Sequence, residues 1–348
     1  EIVNATKVPV VTTIMGKGAI PTDHPLYIGN LGMHGAYAAN MAVGECDLLF
    51  SIGTRFNDRI TGKVHEFAPK AQIVHIDIDT GSISRNVHVD VPIVADAKEA
   101  CEKILEYAEN NEQKEWLSQI EGWKKEHPLT MKDSGKLTPQ KVIETINEMF
   151  AEAIVVTDVG QHQMFTTQYL ALNEKKKLLT SGGLGTMGYG FPGAIGAQIG
   201  NPDVPVIAIS GDGGMQMNIQ EFATAVLQEL PLILCVFNNT YLGMVRQWQK
   251  LFYGQRYSMT CLRSGKACLG RCGETDCECP PYTPDFVKLA ESYGAKGIRV
   301  TKPEDVKAAF EEARKSAKVP TLIEFIIDPE DLVYPMVKPG GTLEELIM

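Results

Sequence analysis

Val206-Ile207-Ala208-Ile209-Ser210-Gly211-Asp212-Gly213-Gly214 and Leu232-Ile233-Leu234-Cys235-Val236-Phe237-Asn238-Asn239, with a helical stretch between them, carry the sharpest signal in the chain. Each is a continuous apolar run, as strands buried on both faces require, and each ends abruptly in glycine or polar residues. With 24 residues between Gly213 and Asn238, they read as a right-handed βαβ unit. Such a unit sets its strands side by side, ending at the carboxyl edge where α/β sheets take ligands. There Asp212 and Asn239 project hard oxygen ligands into one spot, and the glycines let backbone amides approach a phosphate. Two protein oxygens, a backbone carbonyl and a ligand's phosphates suit octahedral Mg²⁺. The residues alone therefore read as a Mg²⁺–diphosphate cradle. Taken singly, Gly-Asp-Gly is a turn into a helix and Asn-Asn a turn out of a strand; their order and spacing together favour the cradle.

Working outward, apolar runs of strand length alternate with helical patterns along the whole chain, which predicts a parallel α/β fold. In the first part the expected strands are Val8–Thr13, Leu48–Ile52, Ile73–Ile78 and Ile93–Val94, with a small-residue helix over Ala36–Val43. In the second part they are Ala153–Thr157, Lys177–Thr180, Val206–Ser210, Leu232–Phe237 and Thr321–Ile327. The expected helices there are Pro139–Phe150, Phe191–Ile199, Asn218–Leu230, Pro284–Tyr293 and Pro303–Lys315. A charged helical stretch that turns polar after His127-Pro128 marks a break. The expectation is two domains, each a mostly parallel sheet flanked by helices: 1–125, a linker over 126–136, and 137–348.

Composition bounds the function. The 348 residues suggest two domains. With 33 Lys and Arg against 43 Asp and Glu, the net charge is −10; a phosphate-backbone binder would need a basic face, so no nucleic-acid partner is expected. Hydrophobic residues at 44% and charged ones at 22% are those of a folded chain rather than a disordered one. The longest apolar run, Leu230 to Phe237, is far short of the ~18 residues that span a bilayer, and no signal-peptide pattern opens the chain. The expected setting is cytoplasmic, with no membrane partner.

At this point a family resemblance becomes visible. Gly211-Asp212-Gly213 followed at this spacing by Asn238-Asn239 resembles the cofactor motif of thiamine-diphosphate enzymes. Gly160-Gln161-His162-Gln163-Met164, Ser181-Gly182-Gly183-Leu184-Gly185-Thr186-Met187-Gly188 and Leu242-Gly243-Met244-Val245-Arg246-Gln247-Trp248 narrow the likeness to the catalytic large subunits of the acetolactate (acetohydroxyacid) synthase family. Leu31-Gly32-Met33-His34-Gly35 and Gly53-Thr54-Arg55-Phe56-Asn57-Asp58-Arg59 are similar to the flavin-domain words of that family, and Val333-Tyr334-Pro335-Met336-Val337 to its tail. The matching words run from about Val8 to the end.

The resemblance implies a central flavin-type domain followed by a domain for thiamine diphosphate, with Mg²⁺ and FAD as the other cofactors. It implies that Asp212 and Asn239 hold Mg²⁺ by side chain and Tyr241 by its carbonyl. Val159, Gly160, Gln161 and His162, the amides of Gly213 and Gly214, and those around Leu242 and Gly243 would hold the diphosphate. Gly185 and Met187 lie in the Gly-rich word, Met187 beneath the bent cofactor; Met244 and Val245 would line its aminopyrimidine side. Trp248 would face the substrate and bias the choice of the second 2-oxo acid. Met187, Met244 and Trp248 are thus the residues expected at the reacting centre. For FAD the matching positions are Thr13, Leu31, Gly32, Met33, His34, Gly53, Thr54, Arg55, Asn57, Arg59, Asp77 and Asp96. Each also has a plainer reading: Arg55 and Arg59 as a solvated loop, His34 as a structural histidine, Met244 and Trp248 as core packing.

The implied reaction decarboxylates pyruvate and joins the fragment to a second pyruvate or to 2-oxobutyrate, giving 2-acetolactate or 2-aceto-2-hydroxybutyrate in branched-chain amino acid biosynthesis. A homo-oligomer and a regulatory small subunit belong to the same implication. The family takes the carboxylate that activates the cofactor from an N-terminal pyrimidine-binding domain. The expectation is therefore a fragment holding only the middle and diphosphate domains, inactive by itself, with Glu221 a helix-face charge and not a substitute. A non-catalytic cofactor-binding protein is the alternative from another class. Gly183-x-Gly185-x-x-Gly188 also fits the dinucleotide fingerprint, with Asp212 one strand later, which would suit an NAD-dependent oxidoreductase. A ribose-binding Asp, however, needs neither flanking glycines nor Asn-Asn one strand on.

One segment departs from the resemblance. Between Arg256-Tyr257-Ser258-x-Thr260 and Pro284-Asp285-Phe286 lies Cys261-x6-Cys268-x3-Cys272-x4-Cys277-x-Cys279. Its spacing leaves free thiols on a loop, a zinc or iron–sulfur site, and disulfides all open.

Overall fold

The apolar runs fold as their lengths require. In the computed structural model, which describes residues 1–262 and 283–348, the chain forms two compact units: 1–130 with 334–348, and 131–333. The cysteine-rich expectation for Cys268, Cys272, Cys277 and Cys279 lies outside the described residues.

The first unit carries β1 (Val10–Thr12) parallel to β2 (Tyr27–Asn30), and a separate parallel sheet of β3 (Leu48–Ile52), β4 (Gln72–Asp77) and β5 (Val91–Val94). The sequence reading misses β2, because Gly29, at φ 149°, interrupts the apolar pattern. Leu31, Val43, Phe56, Ile60, Phe67 and Ile73 form the core of this unit.

The second unit is a six-stranded, wholly parallel sheet. It contains β6 (Ile154–Thr157), β7 (Lys177–Thr180), β8 (Val206–Gly211), β9 (Ile233–Asn238), β10 (Lys296–Val300) and β11 (Thr321–Ile326) in the order β10-β11-β9-β8-β6-β7. Every residue of β8 and β9 is buried, which is why both read as unbroken apolar runs. Side chains alternate between two layers of core. Ile207 and Ile209 point to the helices Pro139–Met149 and Val306–Ala313, whereas Val206 and Ala208 point to the helices Gly190–Gly200, Glu221–Leu227 and Phe286–Ser292. The first of these helices starts where Thr138 Oγ1 accepts the Lys141 amide at 3.2 Å, ahead of Pro139 in the first turn. The expected helix over Asn218–Leu230 is shorter, Glu221–Leu227, because residues 216–220 turn before it begins.

The tail corrects the expectation that the second domain runs to residue 348. β12 (Met336–Val337) pairs antiparallel with β13 (Leu346–Ile347) within the first unit. The Val337 amide donates to the Met33 carbonyl at 2.8 Å, and the Lys63 amide to that of Gly341 at 2.9 Å. Val337 and Leu343 are buried in the same core as Leu31. Among the described residues, no helix is long and apolar enough to cross a membrane.

Candidate functional site

In the second unit the strand order itself locates the site. The chain leaves β6 for β7 on one side, then returns to lay β8 on the other. A crevice opens beyond the carboxyl ends at such a reversal, where open α/β sheets bind ligands. The residues that end β6, β8 and β9 are therefore neighbours: Asp158 to His162, Gly211 to Gly214, and Asn238 to Gly243. β8 and β9 pair in register, Gly211 against Phe237, so Asp212 and Asn238–Asn239 leave adjacent strands together.

Asp212 is 2% exposed. Its Oδ1 accepts the Gly213 amide at 2.8 Å and its Oδ2 the Thr240 amide at 2.6 Å. Burial nevertheless pushes its pKa up to about 7, against the pull of those backbone donors. A buried carboxylate so placed keeps lone pairs beyond those the amides fill, and these suit a cation. Asn239 Oδ1 accepts the Tyr241 amide at 3.0 Å, and Asn239 Nδ2 donates to Gln161 Oε1 at 3.2 Å. Tyr241 is held by the flanking amides: Leu242 N donates to Thr260 O and Leu262 N to Thr240 O, each at 2.8 Å. The donor set of carboxylate, amide and backbone oxygens is hard and fits Mg²⁺.

The glycines are there for close approach. A Cβ on Gly243 would lie 2.0 Å from Gln161 Oε1, and one on Gly213 2.6 Å from Leu242 Cδ2 and 3.6 Å from Met187 Cε. Gln161 also donates to Gln247 Oε1 at 2.9 Å, and Gln247 is in turn clamped to the backbone of Val333 at 2.8 and 2.9 Å. His162 is packed between Gly160 and Gly211, where a Cβ on either would come within 2.8 Å of its ring. Burial lowers its pKa to about 4, outweighing the Asp158 charge, so the ring is neutral. Its Nε2 has no hydrogen-bond partner among the described residues, as befits a donor or acceptor kept for a ligand. Val159 Cγ1 lies 3.8 Å from where a Cβ on Gly185 would sit.

Met187, Val245 and Trp248 differ from core residues. Met187 is 36% exposed and Val245 50%, while Trp248 is half-buried with its ring edge-on to Phe252 at 5.5 Å. Met244 packs against the core, which favours its plainer reading in part. The helix Gly243–Phe252 that carries them is pinned by buried Arg246, which donates to the Pro329 carbonyl at 2.8 Å, pairs with Glu330 and stacks over Tyr241 at 4.7 Å. The Gly-rich word does not make a tight turn into a helix after β7. Nine residues, 181–189, separate that strand from the helix Gly190–Gly200, and the Asp212 carboxylate is held by amides rather than free for a ribose.

Sequence reasoning misses several supporting residues. Asp158, at the end of β6, gathers the amides of Val159, Gly188 and Gly190. Asn218 donates to Gly188 O at 2.7 Å, and Glu324 Oε1 accepts from Asn238 Nδ2 at 2.7 Å while Arg299 Nε holds its Oε2 at 2.7 Å. Asp158 follows an apolar run as Asp212 does. That signal was present, but its meaning depends on the strand order.

In the first unit the positions matched to a flavin site also lie at carboxyl edges. Thr13 follows β1, Leu31 to His34 follow β2, Gly53 to Arg55 follow β3, Asp77 ends β4 and Asp96 follows β5. The loop after β2 is built closely: Asn40 exchanges hydrogen bonds with Gly32 at 2.9 and 3.0 Å, and the Met33 amide reaches Arg59 O at 2.8 Å. That last bond joins the loop after β2 to the short helix Asp58–Thr61 that follows β3. Asn57 Oδ1 is buried with no partner among the described residues, and Gly53 faces open space, so both fit a ligand. Burial holds His34 down to about pKa 4, hydrogen-bonded to the Pro335 backbone. Arg55 is exposed and the Arg59 guanidinium is 61% exposed beside Asp58, as a solvated loop would be. Asp96 also serves its own helix: its Oδ1 accepts from Lys98 and Glu99 at 2.8 and 3.2 Å.

Comparison with known proteins gives matches over most of the chain. Residues 158–325 match the thiamine pyrophosphate enzyme C-terminal TPP-binding domain, and residues 1–104 the central domain of thiamine pyrophosphate enzymes. The probable acetolactate synthase large subunit of Methanocaldococcus jannaschii is 45% identical over 98% of the chain and 56% of its own length. The acetolactate synthase large subunit of Cyanidium caldarium is 43% identical over 100% and 57%. The isozyme 3 large subunit of Escherichia coli is 40% identical over 99% and 59%. The chain thus spans a little over half the length of the curated relatives it matches.

Proposed function

The chain belongs to the thiamine pyrophosphate enzymes, with their central and C-terminal TPP-binding domains, and from that premise we propose that it holds thiamine diphosphate through Mg²⁺ for the acetolactate synthase reaction. The observation that carries this reading is the convergence of Asp212, Asn239 and Tyr241 at the strand-order reversal, where the buried Asp212 carboxylate accepts the Thr240 amide and Asn239 Oδ1 the Tyr241 amide.

On this reading Asp212 and Asn239 ligate Mg²⁺ by side chain and Tyr241 by its carbonyl. Gly213, Gly214 and the backbone of Val159 to His162 and of Leu242–Gly243 approach the diphosphate. Met187, Met244 and Val245 give the rings an apolar, water-poor wall, and Trp248 stands where the second 2-oxo acid would be chosen. Thiamine diphosphate, when bound, supplies the carbanion and electron sink for decarboxylating pyruvate and joining the fragment to pyruvate or 2-oxobutyrate. FAD at the first unit's strand edges stays part of the proposal, supported by the relatives' family and by Asn57 Oδ1 and the open space at Gly53; self-association, a regulatory small subunit and a cytoplasmic setting stay part of it too, supported by the relatives' family and not by geometry. The NAD reading loses its support, since the fingerprint's loop is too long and the family matches lie elsewhere.

Trp248 gives a direct test. In a Trp116→Phe/Trp123→Phe background it is the remaining tryptophan of the 3 in the chain. Thiamine diphosphate with Mg²⁺ quenches its fluorescence saturably; no quench at any concentration, together with no binding by dialysis, overturns the reading.

A further inference from the structure

The loop that carries Met187 is held by two side chains that grip three successive peptide groups. Asp158 is 1% exposed. Its Oδ1 accepts the Val159 amide at 2.7 Å. Its two oxygens share the Gly188 amide, each at 3.0 Å, and Oδ2 also takes the Gly190 amide at 3.0 Å. The Gly188 amide belongs to the peptide joining Met187 to Gly188, and the Gly190 amide to the peptide joining Tyr189 to Gly190. Between them, the Gly188 carbonyl is held by Asn218 Nδ2 at 2.7 Å.

The glycines around this clamp leave it room. Gly188 has φ 91°, and a Cβ there would meet Asn218 Nδ2 at 2.6 Å and Met217 Cβ at 2.8 Å. A Cβ on Gly190 would meet the Asp158 amide nitrogen at 2.7 Å, and one on Gly214 would meet Asp158 Oδ1 at 2.8 Å. The second glycine after Asp212 thus makes room for the Asp158 carboxylate. A buried carboxylate with several amide donors is a strong, geometrically fixed acceptor. Fixing the peptide after Met187 fixes that residue's ψ, and its Cε lies 3.6 Å from where a Cβ on Gly213 would sit.

We propose that Asp158 and Asn218 are positioning residues, which hold the Met187 side chain rigidly beside the Gly213 turn so that it meets the thiamine rings and not the diphosphate. This rests on the proposed cofactor site. It assigns to the β6 end and the turn after β8 a ring-orienting task beside the phosphate cradle, and such supporting groups decide how well a site is preorganised.

Affinities for Mg²⁺–thiamine diphosphate and for Mg²⁺–inorganic pyrophosphate, measured by calorimetry on the full chain, test it. Asp158→Asn lowers thiamine diphosphate affinity about tenfold or more and pyrophosphate affinity by a clearly smaller factor, the part that passes through the Val159 amide it also holds, because pyrophosphate has no rings for Met187 to meet. Asn218→Ala, which touches the Gly188 carbonyl and not the buried carboxylate, lowers thiamine diphosphate affinity in smaller degree and leaves pyrophosphate within about twofold, and it decides the matter if Asp158→Asn does not fold. In a Met187→Ala background, either substitution adds little further loss, as a shared route requires. Equal loss for both ligands, no loss for either, or full additivity with Met187→Ala overturns the inference. If the unaltered chain binds pyrophosphate and not thiamine diphosphate, the proposed cofactor itself is wrong, which is a separate result.

Discussion

The Thr240 amide donates to Asp212 Oδ2 at 2.6 Å, and Thr240 holds a left-handed backbone, φ 62°, to deliver it. A β-branched residue there is strained by roughly 1–2 kcal/mol. The same amide reaches Asn238 Oδ1 at 3.0 Å, so one strained peptide ties the ends of β8 and β9 together. Strain of this kind persists where surrounding contacts over-determine it, and here they centre on the buried carboxylate.

Thr240→Asn is expected to stabilise the protein by about 0.5–1 kcal/mol, since asparagine tolerates the left-handed region, while Mg²⁺-dependent binding is kept. Thr240→Pro removes the N–H and forbids the φ, costing about 3 kcal/mol and the binding. Urea denaturation of both variants checks the contrast; equal effects would mean the amide is not what matters.

Gly243→Ala places a methyl 2.0 Å from Gln161 Oε1 and 2.8 Å from Asn239 Nδ2. Overpacking of that kind costs about 1–3 kcal/mol and pushes Gln161 and Asn239 off their bond, so cofactor affinity falls with stability. Gly196→Ala is the control, an exposed helical position with nothing within 4 Å, and gains about 0.5–1 kcal/mol. Thermal melts with and without cofactor separate the two.

The first unit carries a pH dependence set by His34. Its folded pKa lies near 4, lowered mainly by burial from 6.5. The folded unit therefore binds fewer protons than the unfolded chain between those values, and its stability falls as pH drops from about 6.5 towards 4, levelling off below. The full loss is roughly 3 kcal/mol. In a Trp248→Phe background, denaturation followed by Trp116 and Trp123, both in that unit, should show the fall, and a flatter curve once His34→Phe is added. Parallel curves would remove His34 from the account.

Glu324 is 2% exposed and bonds Asn238 and Arg299. Arg299→Met leaves that carboxylate buried without its cation. Because Arg299 is itself partly exposed, the cost is about 2 kcal/mol, below the range for a fully buried pair. Double substitution with Glu324→Gln recovers most of it; no recovery would mean the ion pair is not the cause.

The sheet and the core of the site were legible where chemistry is local. β8 and β9 are continuous apolar runs, and the spacing of Asp212 and Asn239 follows from one crossover. Asp158 was not legible, since its role follows from β6 lying between β7 and β8, a non-local fact. The tail was hidden for the same reason: two-residue strands carry no period, and Val337 and Gly341 are placed by bonds to Met33 and Lys63, far away in sequence. The flavin positions were found at strand ends, but the capping bonds of Asp96 could not be read from an isolated aspartate.

Calorimetric titration of thiamine diphosphate into the chain, with and without Mg²⁺ and beside Asp212→Ala, bears most directly on the cradle. Saturable one-site binding should require Mg²⁺ and be lost in Asp212→Ala while the variant still melts cooperatively. Binding that is indifferent to Mg²⁺, or that survives Asp212→Ala unchanged, would contradict it.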